Sequence, residues 1–149
     1  PISVNIAGID YTIQYDPGDS TSDFFGGNSN WRGPVWIPMN YLIIRSIMRY
    51  GKFYGAHLKV EYPTGSGVEM DLQEIACMLS ERLEKIFIRN EKRERPVFGE
   101  YQEFYQRPGN DHLLLFHEYF HGDTGKGLGT NHQTGWTALI ADLMERCKA

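Results

Sequence analysis

The sequence predicts a mainly α-helical domain decorated by small β-hairpin elements. Three observations carry this. Leu72, Ile75, Ala76, Leu79, Leu83, Ile86 and Phe87 form an apolar seam at 3-4-3-4-3 spacing, the signature of one face of a helix. From Met39 to Tyr50 apolar residues fall on nearly every side, the pattern of a helix buried among other elements. A last seam runs through Trp136, Leu139, Ile140, Leu143 and Cys147. Strand-like alternation is confined to short stretches, chiefly the first fifteen residues.

Each element has local support. Ile2, Val4 and Ile6 alternate, as do Tyr11, Ile13 and Tyr15, so residues 1–15 read as a hairpin turning over Ala7–Asp10. The stretch from Asp16 to Asn30 is rich in Gly, Ser, Asn and Asp and reads as loop. Pro38 suits the first turn of the helix that follows. His57–Pro63 is a short strand candidate, closed by Pro63 and the Thr64–Gly67 turn. Asp71 followed by Glu74 predicts a capping box at the start of the clearest helix. Its opposite face carries Glu81, Arg82, Glu84 and Lys85. The charge run Asn90–Pro96 reads as a surface loop.

Composition narrows the function. The 41% hydrophobic and 23% charged content is globular rather than disordered. A net charge of −4 argues against a nucleic-acid partner, which asks for a basic face. No apolar run reaches the ~18 residues of a membrane span, and no secretory signal is present; the expected compartment is the cytoplasm. Cys77 and Cys147 do not make a disulfide framework and read as reduced core residues. The high aromatic content of 13% is compatible with a sugar, base or peptide ligand. A P-loop would need its first Gly where Phe120 stands, and neither a dinucleotide-binding glycine pattern nor a nucleophile elbow is present.

One string poses a choice. His117-Glu118-Tyr119-Phe120-His121 matches H-E-x-x-H, the zinc-protease signature. On a helix the two histidines stand ~5–6 Å apart and can share one ion; on a strand about 13 Å separates them. Gly122, Gly125 and Gly127 break any helix just after His121. The third ligand of one zinc-protease pattern would fall at Gly127; another leaves Glu145 as the remaining ligand. The zinc reading therefore uses His117, His121 and Glu145, with Glu118 as base. The competing reading takes Glu118 as a lone carboxylate among aromatic rings, able to serve as a general base or as a structural acid. No metal and no cofactor are expected in that reading.

Two longer stretches decide between them. Gly26–Ser46, containing Trp31-Arg32-Gly33-Pro34-Val35-Trp36, and Glu118–Ile140, containing Thr124-Gly125-Lys126-Gly127 and Thr134-Gly135-Trp136-Thr137, together resemble the C-terminal catalytic domain of glycoside hydrolase family 63. The ordered motifs are W-R-G-P-[VI]-W before a helix, a Glu beside an aromatic, T-G-x-G, and T-G-W-[TS]. The family includes the processing α-glucosidase I, bacterial α-glucosidases and mannosylglycerate hydrolases.

The resemblance implies an (α/α)6 barrel and inverting hydrolysis of α-linked glucosides or mannosides. It maps the general base onto Glu118, the glycone subsite onto Trp31, Arg32, Gly33 and Trp36, and the pocket-closing segment onto Gln133 and Trp136. The histidines at 117 and 121 are not part of the family pattern. Each site residue also has a plain structural role open to it: core anchors for Trp31 and Trp36, an ion pair for Arg32, a turn for Gly33, capping and packing for Gln133 and Trp136. A non-catalytic carbohydrate-binding or structural helical domain is the remaining alternative.

The resemblance places the family's general acid, an Asp, well upstream of Trp31. Asp10, Asp16, Asp19 and Asp23 fall in the hairpin and loop and do not fill that role. A six-pair barrel also needs about twelve helices. The chain thus reads as a single segment, with hairpin and loop in residues 1–30 and helices with active-site loops in 31–149. The expectation is the C-terminal part of a larger enzyme, lacking the N-terminal part of the barrel and inactive by itself. Exposed apolar helix faces would favour self-association.

Overall fold

The structure, a computed structural model, describes residues 1–21 and 31–147. Asp23 and the rest of the loop before Trp31 lie outside the described residues. The described residues form a mainly helical domain with three two-stranded hairpins.

Strands β1 (Ile2–Ile6) and β2 (Ile9–Ile13) pair antiparallel. The turn is tighter than the sequence predicts: only Ala7 and Gly8 occupy it, both with positive φ (53° and 85°). That is the left-handed pair of a two-residue hairpin turn, which matches strand twist. The register sets Ile2 opposite Ile13, Val4 opposite Tyr11 and Ile6 opposite Ile9. One face of the hairpin is thereby apolar, while Ser3–Thr12 and Asn5–Asp10 hydrogen bonds line the other.

Helix α1 (Ile37–Tyr54) starts two residues earlier and ends four later than predicted. Pro38 sits in its first turn, where a missing N–H costs nothing. The short strands β3 (Lys59–Glu61) and β4 (Glu69–Asp71) then pair and lead into α2 (Leu72–Glu84). The capping box is formed as predicted: Asp71 accepts from the N–H groups of Gln73 and Glu74 at 2.8 and 2.9 Å, and Glu74 accepts from Asp71 N–H at 2.9 Å. The seam expected to run as helix to Phe87 instead tightens after Glu84. Ile86 and Phe87 donate back three residues, to Leu83 and Glu84, which closes the orphan carbonyls of a helix end. Both side chains stay buried.

Helical turns at Pro96–Tyr101 continue into α3 (Gln102–Gln106). Strands β5 (Tyr119–Phe120) and β6 (Gly127–Leu128) form the third hairpin. The last seam breaks into α4 (Thr134–Thr137) and α5 (Leu139–Arg146) at Ala138.

The core lies where α1, α2 and α5 meet the β5 strand: Ile37, Ile44, Met48, Ala76, Leu83, Phe120, Ile140 and Leu143 are all buried. Tyr41 on α1 donates to Asp142 on α5 at 2.8 Å, and Arg146 donates to the same carboxylate oxygen at 2.6 Å. The all-round apolar pattern of α1 is matched by burial on one side only. Met39, Leu42, Ile43, Tyr50, Phe53 and Tyr54 remain exposed, Phe53 at 80%, because α2 and α5 cover just the opposite face.

The cysteines correct the sequence reading. Cys77 on α2 and Cys147, just past α5, form a disulfide with Cα atoms 5.4 Å apart, within normal disulfide geometry. Helical packing brings together two thiols 70 residues apart in sequence, which spacing alone does not reveal. Closing a loop of that size restricts the unfolded chain. Reduction, or Cys147→Ser, is expected to lower the unfolding free energy by about 4 kcal/mol. Urea unfolding with and without reductant measures it; coincident curves would show that the bond contributes nothing.

Candidate active site

The centre of the site is assembled by three short backbone links. Val35 and Phe120 exchange N–H···O bonds at 2.8 and 2.9 Å, docking the segment before α1 onto β5. Gln133 N–H donates to Phe116 O at 2.9 Å, docking the segment before α4 onto the stretch that leads into β5. Glu118 N–H donates to Thr130 O at 2.8 Å. The W-R-G-P-V-W, H-E-Y-F and T-G-W-T motifs are thereby drawn to one place.

Their aromatic rings stack. Trp31 and Trp36 lie parallel, centroids 3.9 Å apart and planes at 13°; Trp36 in turn stacks on Tyr119 at 4.6 Å and 23°. Trp136 leans on both tryptophans, at 6.4 and 6.2 Å. Trp36 is 5% exposed and Tyr119 3%, whereas Trp31 is 49% exposed. The cluster is anchored in the protein and presents one open ring.

Glu118 is half-buried beside it. Its Oε2 accepts the N–H of Thr130 at 3.3 Å. Gly129 makes this possible: a Cβ there would lie 2.6 Å from Glu118 Oε2 and 2.7 Å from Tyr119 Cε1, and its φ is +66°. The Tyr119 phenol donates to Asp19. Burial first, then that bond and the charges of Asp19 and Glu118, push its pKa well above the ordinary tyrosine value, so it stays a protonated donor.

A strap from the hairpin crosses the loop after β5. Tyr15 hydroxyl donates to Asp123 at 2.8 Å, and Gly122 N–H donates to Pro17 O at 2.7 Å. Gly33 lies under the strap; a Cβ there would overlap Asp16 O at 1.7 Å. Gly33 thus has a packing reason to be glycine. Arg32 is exposed and lies close enough to add, after the Thr21 and Gln14 hydrogen bonds, to the lowering of the Asp16 pKa. Gln133 receives the backbone N–H groups of Trp136 and Thr137 at 3.0 and 2.8 Å; its backbone starts α4 and sets the pose of Trp136.

The H-E-x-x-H string is not helical. Tyr119 and Phe120 are strand residues, with His117 just before and His121 just after them. The two histidines have separate neighbours. His117 packs so closely on Gly127 that a Cβ there would meet its Cδ2 at 2.2 Å. His121 sits over Gly18, and its Nδ1 accepts from the N–H groups of Asp123 and Thr124, each at 3.3 Å. Glu145 lies on α5, in the groove with Arg45 and Arg49. Among the described residues no group of three His, Cys, Asp or Glu is placed to hold a metal ion. The extended backbone overturns the zinc alternative for these three residues.

Burial, and secondarily the charge of His132, lower the pKa of His117 below its ordinary value of 6.5. On acidification the unfolded chain therefore takes up this proton first. The stability His117 contributes is complete above pH 6.5 and is lost as pH falls from there through the depressed folded pKa. Melting temperature is expected to fall more steeply between about pH 7 and 5 for the wild type than for His117→Gln. Parallel curves would remove His117 from the acid response.

Sequence reasoning missed Gly129, Thr130 and Asp19 as parts of the site, and read Tyr119 only as an aromatic neighbour of Glu118. The G-L-G-T run was the available signal for two of them. Asp19 offered none, because its partner is 100 residues away.

With this geometry in place, the comparisons with known proteins are specific. Residues 13–137 match the mannosylglycerate hydrolase MGH1-like glycoside hydrolase domain. The chain belongs to that family. This glycoside hydrolase segment is 45% identical over 143 residues to the uncharacterized protein YMR196W of Saccharomyces cerevisiae, 95% of this chain and 13% of that protein. It is 32% identical over 122 residues to the probable mannosyl-oligosaccharide glucosidase of Schizosaccharomyces pombe, 81% of this chain and 12% of the relative. For the mannosyl-oligosaccharide glucosidase of Saccharomyces cerevisiae the values are 28% over 125 residues, 83% and 12%. The glycoside hydrolase segment thus spans about one eighth of the length of the curated relatives it matches. No solved structure gives a significant match.

Proposed function

We propose that this chain is the C-terminal part of an inverting glycoside hydrolase acting on α-linked glucosides or mannosides, with Glu118 as the general base. One observation carries the reading: the Glu118 carboxylate is pinned by Thr130 N–H at the edge of a stacked platform of Trp31, Trp36, Tyr119 and Trp136. The open face of Trp31 offers a surface for the C–H face of a pyranose. Arg32 supplies hydrogen-bond donors to its hydroxyls, Gly33 lets the strap lie close, and Gln133 sets Trp136 against the other two tryptophans.

Inverting hydrolysis needs a second carboxyl group with a water between the two. Glu118 deprotonates that water; the acid that protonates the leaving oxygen is supplied by another part of the polypeptide. The chain by itself is accordingly inactive. The exposed apolar side of α1 is where neighbouring helices of an (α/α)6 barrel would pack, and where the isolated chain would associate with itself.

Product stereochemistry tests the mechanism. A polypeptide of the relatives' length should release the sugar first as the β anomer from an α-glycoside, followed by NMR before mutarotation. Initial release of the α anomer would eliminate the inverting assignment. The Cys77–Cys147 disulfide favours an oxidising compartment over the cytoplasm that the sequence suggests, because disulfides are rare in the cytosol. Alkylation of the two cysteines in intact cells tests this: a persistently reduced pair would restore the cytoplasmic location.

A further inference from the structure

We propose that the chain carries a second saccharide-binding cleft, separate from the Trp platform, for a neutral α-linked oligosaccharide. The ligand class rests on the glycosidase reading; the cleft itself does not. It lies between the Pro96–Tyr101 turns, α3 and the β5–β6 hairpin, with a volume of about 390 Å³. That is within the range of small-ligand clefts and has room for a monosaccharide or disaccharide unit.

Its wall is a locked aromatic assembly. Phe98 and Tyr105 stack at 3.8 Å with planes at 8°, and Phe104 meets the Tyr105 ring edge-on at 5.1 Å and 86°. Phe98 is buried as the floor, whereas Tyr101 and Phe104 are 60% and 46% exposed at the rim. Flat faces held in fixed positions suit the C–H face of a sugar and lose little entropy on binding.

Two polar groups complete it. His117 Nδ1 is buried without a hydrogen-bond partner among the described residues. The Asn131 side chain is exposed and lines the cleft. An imidazole and an amide each present donor and acceptor sites, as a sugar hydroxyl does. The charges at the rim cancel: Lys126 and Glu100 are paired at 2.7 Å, which favours a neutral ligand over an anionic one. The cleft shares backbone segments with the proposed catalytic residue without sharing its lining: His117 precedes Glu118, and Asn131 follows Thr130, whose N–H holds that carboxylate.

Titration of a polypeptide of the relatives' length, isotopically labelled in this segment alone, with maltotriose, followed by NMR, tests this. The expected result is movement of the His117 ring and Asn131 side-chain amide resonances along one binding curve. Tyr101→Ala and Phe104→Ala should each weaken that binding by about five-fold, the loss of roughly one stacking contact. Asn131→Ala, at an exposed position, should weaken it with an unchanged melting temperature, which separates loss of binding from loss of fold. Shifts confined to the indoles of Trp31, Trp36 and Trp136 would overturn the second cleft while leaving the Trp platform standing. Absence of any shift would overturn it as well, and the Glu118 assignment would still be decided by turnover of the full-length polypeptide.

Discussion

Glu118→Gln is expected to reduce glycosidase turnover of the full-length polypeptide by about 10²–10⁴-fold, the usual contribution of a general base. Glutamine keeps the shape of the side chain and an oxygen that can accept Thr130 N–H, so the 3.3 Å contact survives. What it removes is the ability to take a proton from water. The loss should fall on kcat, with KM changing little, because the Trp31–Trp36 stack and its contacts to Tyr119 are untouched. The melting temperature should be that of the wild type. Turnover within ten-fold of wild type would place the base elsewhere and favour the non-catalytic binding reading.

Gly129→Ala should cost about 10²-fold in turnover, the scale of a misplacement of roughly 1 Å at a reacting group. The added methyl would stand 2.6 Å from Glu118 Oε2 and 2.7 Å from the Tyr119 ring, so both contacts must be relieved. Tyr119 is clamped between Trp36 and its hydrogen bond to Asp19, which leaves the Gly129 backbone to back away from the ring and the carboxylate to yield with it. The left-handed backbone at φ +66° adds about 1–2 kcal/mol of destabilisation. A purely structural role predicts a lower melting temperature with kcat intact in the folded fraction; a positioning role predicts that kcat falls and the pH profile of turnover shifts. Wild-type turnover at Gly129→Ala would show that the Thr130 contact does not hold the working geometry of Glu118.

The fold was legible where local chemistry decides it. The capping box at Asp71 and Glu74 formed as read, because its hydrogen bonds close within three residues. The seam of α2 and the first-turn Pro38 were equally local. The larger errors have a common cause. The exposed side of α1 and the Cys77–Cys147 pair are set by elements distant in sequence, whereas the hairpin turn is local and was simply read two residues too long. The same division holds at the site. Glu118 and the tryptophans stood out by motif. Gly129, Thr130 and Asp19 acquire meaning only when the loops close, and the H-E-x-x-H string loses its meaning when its backbone proves extended.

All three tryptophans of the chain, Trp31, Trp36 and Trp136, lie within 6.4 Å of one another. Indoles at that separation couple as chromophores, so an exciton couplet from this one spot is expected beside the helix signal in the far-ultraviolet circular dichroism. The protein therefore carries a built-in optical reporter. Its tryptophan fluorescence describes the docking of the W-R-G-P-V-W, H-E-Y-F and T-G-W-T segments, because no tryptophan lies in the rest of the sequence.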